Sequence, residues 1–493
     1  MRRQAAREWA NGLSRADGPG DDRVSESAST SFPQRAARAI KDEFLQQALA
    51  IATTRFVNSR NEVFQAFPQG EALRDRARQI KEAVLQRLDH YLEQLTDNVE
   101  RLGGHVHFAT TAEEARGIIL SIARENRVEL VVKGKSMAAE EIDLNEALEH
   151  AGIRVAETDL GEYIIQLAHE KPSHIIAPAI HKTKAQIADV FAKELRHQVA
   201  ADPEVITRLA RGALRDKFLQ ADMGISGANF AVASTGTVVL VTNEGNGRMV
   251  TSLPRVHVAL MGVEKVIPSM TDLVVFLQIL ARSATGQKLS AYTTLVRGPR
   301  QAAELDGPQE FHLVLMDNGR VKQLAGPLRE ALYCLRCGAC LNVCPVYRQI
   351  GGHAYGDTYP GPIGILMTAM LRGNGAVKDL AHASSLCGAC AEVCPVRIDI
   401  PRMLIELREH LDREKIAPWP ERVIFKTYAR LLGRPALYRL AGPVSRLMQR
   451  PFVRQGRIRS LPLLFRKWTA TRDLPPVAPR TFRERWGELE RER

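Results

Sequence analysis

Outside one 61-residue window the chain has no cysteine. Its 493 residues hold seven, all between Cys334 and Cys394. Disulfides therefore cannot brace the rest of the fold, and the disulfide framework of a short secreted protein is excluded. No run approaches the roughly 18 consecutive apolar residues that a membrane-spanning helix needs. Nothing matches G-x-G-x-x-G or a phosphate-binding P-loop, so NAD or FAD binding is not expected. With every cysteine inside one cluster, neither a Cys–His nor a Ser–His–Asp nucleophile can be assigned. Arg2 and Arg3 are followed by polar sequence without an apolar export core, which argues against a twin-arginine signal. The expected location is the cytoplasm.

What is present is ordinary for a globular chain: 45% apolar and 25% charged residues, enough core for two or three domains. Residues 1–31, with Gly18-Pro19-Gly20 and a Ser-rich run, read as a mobile tail. The net charge of +12 is unevenly placed. From Lys415 onward 19 Lys and Arg face 6 Asp and Glu, a balance of +13, and the preceding 414 residues sum to −1. A basic segment of this kind suits an acidic partner or the inner face of a membrane, against the plainer alternative of solvated helix faces. Nucleic acid is the weakest option, since no zinc-finger, basic-zipper or RNA-reading motif is present.

The cysteine spacing carries the chemistry. Residues 334–345 read Cys-Leu-Arg-Cys-Gly-Ala-Cys-Leu-Asn-Val-Cys-Pro, the C-x2-C-x2-C-x3-C-P run of two-cluster ferredoxins. Residues 387–395 repeat its last three cysteines and its proline. Three close thiolates wrap one cubane, and the fourth, carried away by the next turn, ligates the other. That exchange assigns Cys334, Cys337, Cys340 and Cys394 to a first 4Fe-4S cluster, and Cys344, Cys387 and Cys390 to a second. The second lacks a thiolate where the motif has Ser384. Its last iron is then held by Ser384, another oxygen or nitrogen donor or water, or is absent as in a 3Fe–4S form. Structural zinc needs two separated knuckles, and this run is too dense for it. Gly338 and Gly388 let the backbone pass close to a cluster, and Pro345 and Pro395 turn the chain outward. Arg336, Tyr347 and Arg348 read as exposed residues, against the alternative that they tune a cluster's potential or contact a partner. The stretch between the motifs, with an apolar helix near Ile363 to Leu371, suits an α-helical ferredoxin domain over 318–414.

Residues 32–104 have apolar spacing near 3.6, as at Ile80, Val84, Leu88 and Leu92, and read as helices. From 105 to 317 short apolar runs alternate with helical stretches, which predicts an α/β domain with a largely parallel sheet. Expected strands include 128–133, 152–157, 174–178, 237–242, 255–261 and 311–316. Ligands of such sheets gather beyond the carboxyl ends of the strands. Lys133-Gly134-Lys135-Ser136 there is a candidate anion seat. Asn243-Glu244-Gly245-Asn246-Gly247-Arg248 reads as a flexible loop that binds a ligand or a neighbouring subunit, against the plainer alternative of a simple connection, and Ser234–Thr237 as a hairpin turn. Glu157, Asp159 and Glu162 read as a solvated acidic group.

Three blocks in this order resemble one family. Lys133–Met137, Glu157–Tyr163 and Gly236–Asn246 look like the lactate-utilisation domain. The double cysteine motif and a tail with Trp468-Thr469, Arg472-Asp473-Leu474-Pro475 and Thr481-Phe482-Arg483 look like the remainder of the lactate-utilisation protein B family. The similarity runs from about 32 to 486. It implies an iron–sulfur electron-transfer subunit of a cytoplasmic complex oxidising L-lactate to pyruvate. The implied partners are a heterodisulfide-reductase-like cysteine-rich iron–sulfur protein and a second small lactate-utilisation-domain protein. The implied α/β fold is that of ribose-phosphate isomerase and coenzyme A transferase, followed by the ferredoxin domain and a basic helical region over 415–493. Members of the family also carry seven cluster cysteines. Two other readings compete: an enzyme using the open cluster iron as a Lewis acid on a hydroxy acid, and a redox-sensing interaction scaffold.

Overall fold

The computed structural model describes residues 30–416, 419–462, 466, 469 and 472–491. The tail expected over 1–31 lies, apart from Thr30 and Ser31, outside the described residues, as does Trp468. One compact unit runs to Leu411 and a second from Asp412.

In the first unit the helices Phe32–Ala39, Glu43–Gln65, Gly70–Gln86 and Leu88–Arg101 come before the sheets. Glu43–Gln65 starts at Asp42, whose side chain accepts the Leu45 N–H, a normal N-cap. It packs on one side against the helix Met270–Thr285 and on the other against the short helices Ala339–Asn342 and Tyr347–Ile350 of the cysteine region. The amino-terminal helices thus tie the α/β layer to the cysteines.

Among the described residues the strands of this unit are β1 (His105–Ala109), β2 (Leu130–Lys133), β3 (Arg154–Glu157), β4 (Met223–Gly227), β5 (Phe230–Val232), β6 (Thr237–Thr242), β7 (Val256–Gly262), β8 (Val266–Ile267), β9 (Tyr292–Val296) and β10 (Glu310–Met316). Six form a wholly parallel sheet in the order β1-β10-β7-β4-β2-β3. Helices cover both faces, so β2 and β7 are buried along their whole length, as a parallel sheet requires. The core on one face holds Ile119, Leu148, Ile225 and Val258; on the other Tyr163, Phe191 and Leu214 pack against Val132.

The remaining four form a mixed sheet, β8-β5-β6-β9. The turn expected at Ser234–Thr237 joins β5 to antiparallel β6, with Gly236 at φ +67° and no room for a Cβ beside the Asn98 backbone. The strand expected at 174–178 does not form. His174 Nδ1 accepts the Ile176 and Ala177 N–H groups, and Pro178 O accepts the Ser173 N–H, so this apolar segment closes a tight loop. Its burial against the cysteine region, not sheet pairing, accounts for its hydrophobicity.

The second unit contains the helices Trp419–Leu432, Pro435–Gln449 and Phe482–Leu489 and a small antiparallel strand pair. Among the described residues no helix is long and apolar enough to cross a membrane.

Candidate metal centre

The two cysteine runs fold alike. In the first, Arg336 (φ +61°) and Gly338 (φ +75°) are left-handed, and the helix Ala339–Asn342 follows. In the second, Leu386 (φ +55°) and Gly388 (φ +86°) are left-handed, and Ala389–Glu392 follows. Gly338 has a second constraint, because a Cβ there would meet the His174 ring at 2.9 Å. These turns aim backbone N–H groups at sulfur. Arg336 N–H donates to Cys334 Sγ (3.4 Å), Tyr347 N–H to Cys344 Sγ (3.5 Å) and Ile398 N–H to Cys394 Sγ (3.3 Å). At the equivalent place in the second run, Leu386 N–H donates to Ser384 Oγ at 3.2 Å. The Ser384 hydroxyl therefore stands where Cys334 has its thiol.

Cys337 interacts electrostatically with Cys334 and Cys394, and Cys394 with Cys334. Cys344 and Cys390 interact with each other and with Cys387. Cys340 lies at the junction, beside Cys334, Cys337 and Cys394 but also near Cys390. Burial pushes the Cys337 and Cys390 thiols up to about 12 and Cys394 up to about 11, with neighbouring thiols adding to the shift. Such thiols ionise only beside a cation that compensates for lost solvation. Cys387 differs: it is exposed, and the Ala389 N–H and the Ser385 hydroxyl lower its pKa. Clustered soft donors, backbone N–H groups on sulfur and a buried, water-poor setting fit an iron–sulfur group.

Cations surround the first run. Lys265 Nζ donates to Cys334 O (3.1 Å), Arg74 to Cys394 O (2.9 Å) and Arg60 to Val393 O (3.2 Å). Arg336, expected on the surface, is largely covered; it reaches Glu264 at 3.4 Å and lies 4.7 Å over the Tyr359 ring. Tyr347 is buried too, donating its hydroxyl to Ser173 O at 2.8 Å. Arg348 is partly buried and donates to Thr54 Oγ1. Arg320 bridges Glu141 and Glu264, both at 2.7 Å. Burial alone would raise Glu264, but Arg320, Arg336 and Lys265 hold it down to about 2. The reverse applies to Lys265, which burial and the nearby Arg336 lower to about 8.

A cavity of about 1100 Å³ adjoins these residues at the carboxyl ends of the parallel strands. It gathers motifs far apart in sequence: Lys135 and Ser136 after β2, Asp159 after β3, and Glu244 and Asn246 after β6. Arg336 and Cys337 line it as well. Lys133 is not an anion ligand, since its buried ammonium pairs with Glu140 and Glu157, both at 2.8 Å. Glu157 and Glu162 are buried rather than solvated. The sequence signal for Glu264 and Lys265 is a charged pair directly after Val256–Val263, a run with one polar residue, His257.

A LUD domain model matches residues 92–316, a 4Fe-4S dicluster domain model 330–398, and a model described as lactate utilisation protein B, C-terminal, 408–491. A curated relative from Bacillus velezensis, named lactate utilization protein B, is 44% identical over 467 residues, covering 94% of this chain and 98% of its own. Relatives of the same name from Bacillus subtilis and Shouchella clausii are also 44% identical, covering 93% and 92% of this chain and 96% of theirs.

Proposed function

The chain belongs to the lactate utilization protein B family, and on that premise we propose that it is the electron-transfer subunit of a complex oxidising L-lactate to pyruvate. The coarser part of this reading, a role in lactate utilisation together with a 4Fe-4S domain, follows from the family. Bound at the cysteines, two 4Fe–4S clusters would supply one-electron carriers. We assign Cys334, Cys337, Cys340 and Cys394 to one and Cys344, Cys387 and Cys390 to the other.

The observation that carries the proposal is a gradient of burial. The first group is buried beside the cavity, whereas the second ends at exposed Cys387. That arrangement gives electrons an inner port and a surface port. Lys265, Arg336, Arg60 and Arg74 offset the negative charge of the inner group, which favours its reduced state. The α/β domain, with its parallel sheet and its cavity at the strand carboxyl ends, suits a ribose-phosphate isomerase or coenzyme A transferase type of fold.

The proposed partners are a heterodisulfide-reductase-like cysteine-rich iron–sulfur protein and a small lactate-utilisation-domain protein, in the cytoplasm. Docking to them, or peripherally to the inner membrane face, is assigned to the segment from Lys415 onward. There +13 of charge accompanies exposed Trp419, Phe425, Tyr428, Leu440, Leu447 and Met448. The test is lactate oxidation by the three purified proteins, with and without this chain. Activity should disappear without it, and an undiminished rate from the other two would refute the role.

A further inference from the structure

Electron transfer leaves the polar end of the cavity without a task. Lys135 leaves β2 where the parallel strands end, and among the described residues its ammonium makes no hydrogen bond, although Asp159, Glu162 and Glu244 lie near enough to interact electrostatically. Asn246 lines the same end and is only 6% exposed. Its Nδ2 makes one long contact, 3.5 Å to Thr158 Oγ1, and its Oδ1 has no partner. Whichever way that amide is turned, one end lacks its hydrogen bond, and buried polar groups are rarely left so. Thr158 cannot relieve it, because its hydroxyl is already donated to Lys133 O at 2.9 Å.

The set is mixed in a telling way. Lys135 offers a cation, Asn246 a donor and an acceptor, and Asp159 and Glu244 acceptors. Asp159 is largely occupied as an N-cap, accepting the Gly161 and Glu162 N–H groups. Burial lowers the Lys135 pKa while Asp159, Glu162 and Glu244 favour its charged form, and burial with the neighbouring Asp159 pushes Glu244 up to about 7. A simple carboxylate would use only the cation. A carboxylate with an adjacent oxygen would use the cation and the amide, and a hydroxyl there would also have Glu244 to donate to.

We propose that this end of the cavity is a binding seat for a short 2-hydroxy or 2-oxo acid, its carboxylate on Lys135 and its neighbouring oxygen on the Asn246 amide. The proposal rests on the lactate-oxidising role and adds where in this chain the acid is held. It concerns binding alone. Such an acid fills only a small part of about 1100 Å³, and the rest of the cavity runs on to Arg336 and Cys337. Occupancy should therefore be sensed at the first cysteine group without the acid touching it.

The test is calorimetric titration of the anaerobically purified full-length holoprotein with L-lactate, pyruvate and acetate, alongside the low-temperature EPR spectrum of the reduced protein. One site per chain should bind L-lactate or pyruvate and shift the spectrum, with acetate much weaker. Lys135→Gln and Asn246→Ala should each weaken binding by about tenfold or more, the loss expected for a hydrogen bond to a charged or buried group. Their iron content and acid-free spectra should match the parent, which separates lost binding from misfolding. Absence of heat and spectral change in the parent protein, or equal binding by Lys135→Gln, would overturn the seat. The subunit role is scored separately. If the assembled complex needs this chain but shows the same KM for lactate with Lys135→Gln, the seat falls and the role stands. If the complex turns over without the chain, the role falls.

Discussion

Replacing Cys394 by alanine should damage the cluster assigned to Cys334, Cys337 and Cys340, although Cys394 is only four residues from Cys390. Its electrostatic neighbours are Cys334 and Arg74, on the first run's side. Without the thiol the Ile398 N–H loses its acceptor, but Arg74 and Arg60 still hold the carbonyls of Cys394 and Val393. The variant should therefore fold and lose about half its iron, or convert one of two EPR signals, with the exposed group preserved. Sequential ligation gives the opposite result. Site-resolved Mössbauer or EPR spectra in which only the group of Cys387 and Cys390 changes would defeat the exchanged assignment.

The other large effect is expected at Ser384. Its hydroxyl accepts the Leu386 N–H as Cys334 Sγ accepts that of Arg336, so the serine occupies the motif's vacant ligand position with its backbone already shaped. A neutral hydroxyl is a weaker iron ligand than a thiolate, and Cys387 next to it is exposed. Under oxygen the second group should lose iron first, from about eight per chain to about seven. Ser384→Cys should slow that loss severalfold and lower the potential of that centre by adding negative charge. Loss as fast as in the parent protein would show that the position does not face the iron.

The metal centre was legible because spacing alone imposes it: a dense run of three cysteines, a fourth before proline, and a repeat with one replacement. Burial was less legible. Arg336 between two cysteines looked like surface, yet its left-handed backbone turns it onto Glu264, 72 residues earlier. Glu157 looked solvated because its partner Lys133 lies on a neighbouring strand, paired only when β2 and β3 align. Residues 174–178 have the composition of a strand, but their apolar side chains serve packing in a loop. β4, Met-Gly-Ile-Ser-Gly, shows the converse, a strand without the composition of one. Gly224 is required in β4 because a Cβ there would strike the Val250 carbonyl oxygen, so local propensity is sacrificed to close packing. The cavity was visible only as fragments. Lys135, Asp159 and Glu244 stand far apart in the sequence, and the strand ends of the parallel sheet meet the loop after β6 to bring them together.

The relay itself is most directly tested by mixing the assembled complex anaerobically with L-lactate and following the iron–sulfur absorbance of this chain alongside pyruvate formation. The difference from the Cys394→Ala complex, which lacks the inner group, isolates that group's contribution. The account predicts bleaching of this chain's absorbance within one turnover, and pyruvate formation slowed in the variant. Pyruvate formed at the full rate while this chain's absorbance stays oxidised would contradict it.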